Sequence, residues 1–257
     1  MKEEKPKYGW YVKNLIIGFN IIGLLGLTAF IYGFLIDGIL KIILLISGLV
    51  IMLVFLWPGI GMIIMHLFLL RKIPKINLVD RMKALDEIDN PQILDVGCGT
   101  GRTAIRIAKA LKNGGYLYGI DIYSKLAIPG NALDTVQNNA RIEEVDAKTT
   151  FQYGRATDIP FEDNRFNIVN VSSVLHEVHE PNGQDKAMQE IYRVLKPNGY
   201  LYLSEWNRTS WKCIAFTGLC CLAFRNKDHW KNLLKKYNFK EITYENLAGF
   251  GIFSAIK

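Results

Sequence analysis

Residues 93–101, Ile-Leu-Asp-Val-Gly-Cys-Gly-Thr-Gly, constrain the fold of this chain more than any other stretch. An apolar strand ends at Asp95 and runs into glycines at three alternate positions, Gly97, Gly99 and Gly101; a helix-like segment begins at Arg102. Only glycine turns that tightly and presents bare backbone to a ligand, because it has no Cβ. The helix that follows points its free N–H groups at whatever the loop holds. Asp121 closes a second short apolar run, 116–121, 20 residues after Gly101, and the turn 112–115 separates that run from the helix. In nucleotide-binding βαβ units an acid at this offset ends the second strand and accepts hydrogen bonds from ribose hydroxyls. The spacing predicts an α/β fold with a small-molecule cofactor at the glycine loop.

In a dinucleotide loop, G-x-G-x-x-G, the third glycine falls at position 102, which here is arginine. The pattern is instead G-x-G-x-G, with Asp95 two residues before the first glycine. On these residues the chain resembles the class I S-adenosylmethionine-dependent methyltransferases, and within them the branch of quinone, sterol and small-molecule methyltransferases. Three later blocks are similar in the same order: 153–161 (YGRATDIPF), 166–178 (FNIVNVSSVLHEV) and 190–203 (EIYRVLKPNGYLYL). The likeness is close over about residues 78–205 and loose beyond. It implies a Rossmann-like, seven-stranded, doubly wound sheet closed by an antiparallel hairpin, with S-adenosyl-L-methionine as cofactor. It also implies roles. Gly97, Gly99 and Gly101 cradle the methionine end, with Cys98 as a small loop residue and Asp95 as support. Asp121 takes the ribose hydroxyls, Ile122 lies on the adenine face, Ala156 meets the adenine edge, and Ser172 approaches the amino-acid moiety. Where the family usually has an acid for the adenine amino group, this chain has Arg155; Asp158 is either its substitute or a plain loop acid.

The first seventy residues are different material. Residues 15–36 carry no charge, and 42–70 carry no Asp, Glu, Lys or Arg. Each run is long enough to cross a bilayer. They predict an N-terminal membrane region over 1–72, with transmembrane helices at about 15–36 and 40–60 and residues 60–70 continuing the helix or lying near the interface. The methyltransferase domain then occupies 73–257. Pro58-Gly59 predicts a kink or an end near Trp57. A cleaved signal peptide fits poorly, since a second apolar run follows; burial in a soluble core is the other reading. Lys2, Lys5, Lys7 and Lys13 precede the first run, Arg71, Lys72, Lys75, Arg81 and Lys83 follow the second, and the connection carries only Lys41 among basic residues. Basic flanks mark the cytoplasmic side, which puts the catalytic domain there. The net charge of +7 fits anionic lipid headgroups or an ordinary solvated basic surface, and no nucleic-acid module accompanies it. The four cysteines show no metal-ligand spacing, so no metal is expected and a reducing compartment is the simple reading.

Residues 206–230 set an apolar stretch, 213–224, between Trp206, Trp211 and Trp230, with basic residues at its edges. It is too short to span a membrane, and reads either as an interfacial segment or as a core helix. His176, in Leu-His-Glu-Val-His-Glu180, is the candidate base, against the plainer reading of a loop histidine; Tyr123 and Lys125 are candidates for the mouth of the same site. Three functions fit: a membrane methyltransferase of a hydrophobic acceptor such as a lipid or isoprenoid quinone; the same enzyme tethered beside a soluble or protein acceptor; or a non-catalytic S-adenosylmethionine-binding membrane subunit.

Overall fold

The computed structural model describes residues 4–69, 78–112 and 114–257, and in it the two apolar runs form a helical hairpin. Helix α1 spans Lys13–Gly33. The chain returns through α2 (Ile39–Ile51), a π-helical turn (Met52–Leu56), α3 (Trp57–Ile64) and a second π turn (Met65–Leu69). The helix does not end at Pro58, and the chain stays helical through it. Proline lacks the N–H and crowds the carbonyl four residues back; that residue, Val54, lies inside the first π turn, where the wider spiral makes room. Glycines let the two helices touch backbone to backbone. A Cβ on Gly23, Gly26 or Gly48 would stand 2.6 Å from Leu56, Ile51 or Phe30 respectively. Lys13–Gly33 and Ile39–Leu67, of 21 and 29 residues, are long and apolar enough to cross a membrane by length and composition, and most of their side chains face outward. Lys2, Arg71, Lys72 and Lys75, the 72/73 boundary, and Asn113 of the predicted turn lie outside the described residues.

The rest of the chain folds around one sheet. Its strands are β1 (Gln92–Val96), β2 (Tyr116–Asp121), β3 (Thr149–Tyr153), β4 (Phe166–Ser172), β5 (Leu195–Trp206), β6 (Lys240–Leu247) and β7 (Phe250–Ile256), in the order β3-β2-β1-β4-β5-β7-β6. The first five are parallel, and β7 enters antiparallel between β5 and β6. This is the predicted seven-stranded sheet with its closing hairpin. Helices α4 (Arg102–Ala110) and α5 (Leu133–Ile142) cover one face; α6 (Gly183–Val194) and α8 (Lys227–Lys236) cover the other. Alternate side chains of a strand point to opposite faces. Ile93, Leu117 and Ile168 therefore enter the α4–α5 core, and Leu94, Val169 and Leu201 the α6–α8 core.

Helix α7 (Trp211–Thr217) and the 3-10 turn Gly218–Ala223 join this domain to the hairpin. Trp57 Nε1 donates to the Ala215 carbonyl at 3.1 Å, and Gly218, at φ +53°, sits on Pro58. Met65, Trp206, Cys213 and Cys221 form a small core between them. The segment is buried on one side only. Cys213, Thr217 and Cys221 are buried, whereas Trp211, Leu219 and Leu222 are exposed.

Gly61 sets the closeness of that joint, because a Cβ there would lie 2.4 Å from the Phe216 carbonyl oxygen. Gly61→Val is expected to cost about 1–3 kcal/mol by overpacking and to open the seam. Maleimide labelling of Cys213 and Cys221 in detergent checks this: labelling should run several-fold faster than in wild type, and an unchanged rate would mean the joint does not depend on this contact.

Candidate active site

The glycine loop is pinned to the neighbouring strand. Gly97 and Cys98 donate their N–H groups to the Ile120 carbonyl at 2.7 and 3.0 Å. Gly97, Gly99 and Gly101 all have positive φ, at +71°, +53° and +88°, and a Cβ on Gly97 would meet Val174 at 2.3 Å. Asp95 lies beneath the loop, 2% exposed. Its Oδ1 accepts from Asn170 Nδ2 at 2.6 Å, and its buried Oδ2 has no partner among the described residues. Burial pushes the Asp95 carboxyl up to about 7; the Asn170 hydrogen bond opposes this and the charge of Asp121 adds to it. Burial likewise pushes the Cys98 thiol up. Asp121 accepts from Gly99 N–H (2.9 Å), Tyr123 N–H (2.5 Å) and Asn131 Nδ2 (3.2 Å). The two acids that the spacing singled out thus flank one loop.

A single cavity of about 780 Å³ opens above it. Asp95, Gly97, Cys98, Gly99, Asp121, Ile122, Arg155, Ala156 and Ser172, all predicted, line this cavity. Gly101 instead shapes the turn into α4, its carbonyl accepting from Ile105 N–H at 2.9 Å. Tyr123 and Lys125 do not line the cavity; their neighbours Ser124 and Leu126 do. Asp158 does not line the cavity either, and its N–H is bonded to the Arg155 carbonyl at 3.2 Å. The acid facing Arg155 is Glu180, from the loop after β4. It accepts from Thr157 Oγ1 at 2.8 Å and lies 3.4 Å from the Arg155 guanidinium. Those contacts hold its carboxyl below the usual range, the Thr157 hydrogen bond foremost. The sequence shows Glu180 only as one more acid in a polar run.

The cavity's far wall was not legible at all. It consists of Ile16, Met62 and Met65 from the hairpin with Trp206 and Phe250 from the sheet edge. Residues 7–12 close the side as a strap: Thr100 Oγ1 donates to the Tyr8 carbonyl at 2.9 Å, and Val12 N–H to the Ala127 carbonyl at 2.6 Å.

His176, the candidate base, does not line the cavity, and both its ring nitrogens have partners. Its side chain is 7% exposed and lies behind the wall, with Nδ1 2.7 Å from Glu205 Oε2 and Nε2 3.0 Å from the Tyr11 hydroxyl. Burial pulls its pKa down, but the charge of Glu205 and hydrogen bonds to Glu177 and Glu205 outweigh that and push it up to about 9. An imidazole between two carboxylates, with both nitrogens engaged, favours the cation and orients its neighbours. The groups it holds, Tyr11 and Glu177, do line the cavity and hydrogen-bond each other. Hydrogen bonding from His176 draws the Glu177 carboxyl down to about 2, against the effect of burial, and Tyr11 assists.

These values fix a pH dependence. The stabilisation from His176, whose ordinary value is 6.5, is complete below that pH and is lost as pH rises through about 9. That from Glu177 is lost only as pH falls through about 2. Wild type should therefore lose on the order of 2 kcal/mol between pH 7 and pH 10. His176→Gln should show a flatter profile in thermal melts; equal slopes would contradict the network.

Residues 94–203 match the family described as methyltransferase domain. The 2-phytyl-1,4-naphtoquinone methyltransferase of Trichormus variabilis is 30% identical over 115 residues, 45% of this chain and 46% of that protein. The ubiquinone/menaquinone biosynthesis C-methyltransferase UbiE of Rickettsia prowazekii is 26% identical over 190 residues, 62% of this chain and 73% of that protein. The chain thus spans about half the length of the first of these relatives and about three quarters of the second. The crystal structure of an S-adenosylmethionine-dependent methyltransferase from Aquifex aeolicus superposes with a TM-score of 0.57 at 20% identity, covering 73% of this chain and 95% of that one. Matching sequence blocks, the strand order and the glycine cradle agree: residues 94–203 match a methyltransferase domain, and the sheet has the fold of the S-adenosylmethionine-dependent methyltransferase it superposes on.

Proposed function

We propose that this protein is an integral-membrane methyltransferase that methylates a lipid-soluble ring acceptor of the quinone class, with its catalytic domain on the cytoplasmic side. One observation carries the reading: a single cavity runs from the cofactor loop to an apolar wall supplied by the hairpin. The names of the relatives, a 2-phytyl-1,4-naphtoquinone methyltransferase and a ubiquinone/menaquinone biosynthesis C-methyltransferase, support the acceptor class. Most of the exposed large apolar side chains among the described residues lie on α1–α3, which supports the membrane. Lys5, Lys7 and Lys13 stand at the domain end of the hairpin, and Asp37 and Lys41 pair in the far turn. That asymmetry supports the orientation. The non-catalytic reading loses its main support because Glu180 supplies an acid beside Arg155.

When bound, the cofactor supplies a methyl group already activated on a sulfonium. The protein's part is alignment and exclusion of water. Asp95 Oδ2, buried and unpartnered, suits the cofactor's ammonium, and Asp121 its ribose hydroxyls. Met62, Met65, Trp206 and Phe250 keep the acceptor end dry. Glu177 and Tyr11 carry polar atoms to the same cavity and would orient an oxygen of the acceptor there.

Native membranes holding the full-length protein, given methyl-labelled S-adenosylmethionine, should yield label in an organic extract, and Asp121→Ala should abolish at least nine-tenths of it (about tenfold, the lower bound for a lost charged hydrogen bond). Label confined to the aqueous or protein fraction would instead indicate a tethered enzyme with a soluble acceptor. Cofactor affinity measured by calorimetry should rise several-fold from pH 6 to pH 8, as Asp95, at about 7, becomes the carboxylate that an ammonium prefers. Asp95→Asn should flatten that rise, and a pH-independent wild type would remove Asp95 from the ammonium site.

A further inference from the structure

No Asp or Glu occurs between residues 206 and 227, a stretch that holds Arg208, Lys212, Arg225 and Lys227. Folding brings the two arginines together: Arg208 N–H donates to the Arg225 carbonyl at 3.1 Å, so the ends of the segment around α7 meet. Arg208, Lys212 and Arg225 are exposed and form no ion pair among the described residues. Like charges set this close repel unless anions lie between them, and guanidinium groups pair with phosphate through parallel hydrogen bonds. Beside these charges stand Trp211 and Leu222, 71% and 66% exposed, with Ile214 and Leu219. Apolar side chains this open, next to unpaired basic groups, mark an interaction surface. The patch is continuous with the hairpin, where Trp57 bonds the Ala215 carbonyl and Gly61 packs on Phe216.

An acidic protein partner would match the arginines, but not the position of the patch against a hairpin that is itself apolar and faces outward. An anionic phospholipid leaflet matches both, since tryptophan and leucine suit its interface and basic side chains its phosphates. We propose that this patch docks on the headgroup layer of an anionic phospholipid leaflet, with Trp211, Leu219 and Leu222 entering the interface and Arg208, Lys212 and Arg225 on lipid phosphates. This rests on the integral-membrane reading above and extends it from the hairpin to the catalytic domain. The reverse side of the same segment, Cys213 and Cys221, packs with Met65 and Trp206, which line the cavity. Lipid contact therefore bears on the cavity wall from behind and holds the domain against the leaflet. Each basic residue near an anionic surface strengthens attachment about fivefold.

The test uses full-length protein in two kinds of nanodisc, one of phosphatidylcholine alone and one with a quarter of it replaced by phosphatidylglycerol. Trp211 emission is taken as the difference between wild type and Trp211→Phe. Quenching by a nitroxide on the lipid headgroup should be about threefold stronger in the anionic discs, and quenching by aqueous acrylamide correspondingly weaker. Half-molar salt should bring both back to the neutral-disc values. So should the combined Arg208→Gln, Lys212→Gln and Arg225→Gln variant, with cofactor affinity within about twofold of wild type. Equal quenching of wild type in the two discs would overturn the inference, and that comparison needs no variant. A triple variant that binds cofactor and is quenched like wild type would overturn it as well. Wild type retained in membranes through alkaline carbonate, with Trp211 open to acrylamide, would overturn the docking surface alone. Release by carbonate would overturn the integral-membrane reading, and the same quenching on vesicles of the two compositions would still decide the patch.

Discussion

The side chain of Asn139, on α5 and 1% exposed, ties the two ends of this protein together. Its Oδ1 accepts from Lys7 N–H at 2.7 Å; its Nδ2 donates to the Lys7 carbonyl at 3.1 Å and to the Thr100 carbonyl at 2.9 Å. A buried amide costs free energy unless its donors and acceptor are engaged, and here each is. The strap's backbone is thereby fixed to the tip of the glycine loop. The strap runs directly into α1 at Lys13, so the loop that holds the cofactor also sets where the hairpin stands. The glycine loop and the hairpin wall line one cavity. A protein cut after the hairpin loses Tyr8 and Tyr11 as well as Ile16, three residues that line the cavity.

What the sequence makes legible is local. Asp95, the alternate glycines and Asp121 lie within 27 residues, and each obeys a backbone rule: positive φ at the glycines, an acid at a strand end. The hairpin follows from two charge-free runs, and the sheet's closing strands from alternation after residue 240. What escapes is set by contacts across the chain. His176 meets Glu205 29 residues away and Tyr11 165 away. Nothing in their spacing signals that the histidine is enclosed between acids, so the sequence leaves base and plain loop histidine both open. Glu180 for the acid beside Arg155, and Ser124 and Leu126 for Tyr123 and Lys125, are the same kind of difference. The loop was placed correctly, but the facing of its side chains depends on tertiary packing.

Helix length argues for how the assembly meets a bilayer under the membrane reading. At 1.5 Å per residue, the 29 residues of Ile39–Leu67 extend about 43 Å, well beyond a hydrocarbon core of about 30 Å. The excess is engaged by the domain: Trp57, Pro58 and Gly61 pack on α7 and the turn after it, and Met62, Met65 and His66 line the cavity. What is left, Ile39–Leu56, extends about 27 Å, close to the core thickness. The cavity then lies at the level of the headgroups. Trp211, with Lys212 above its ring at 5.7 Å, and the exposed Leu219 and Leu222 ring that same level, the placement that amphipathic aromatics and lysines favour. A hydrophobic acceptor reaching a site there leaves the lipid without crossing water. The close glycine contacts matter for the same reason: a hairpin that rocked against α7 would open the dry end of the cavity to solvent, and the activated methyl would be exposed to water before the acceptor arrived.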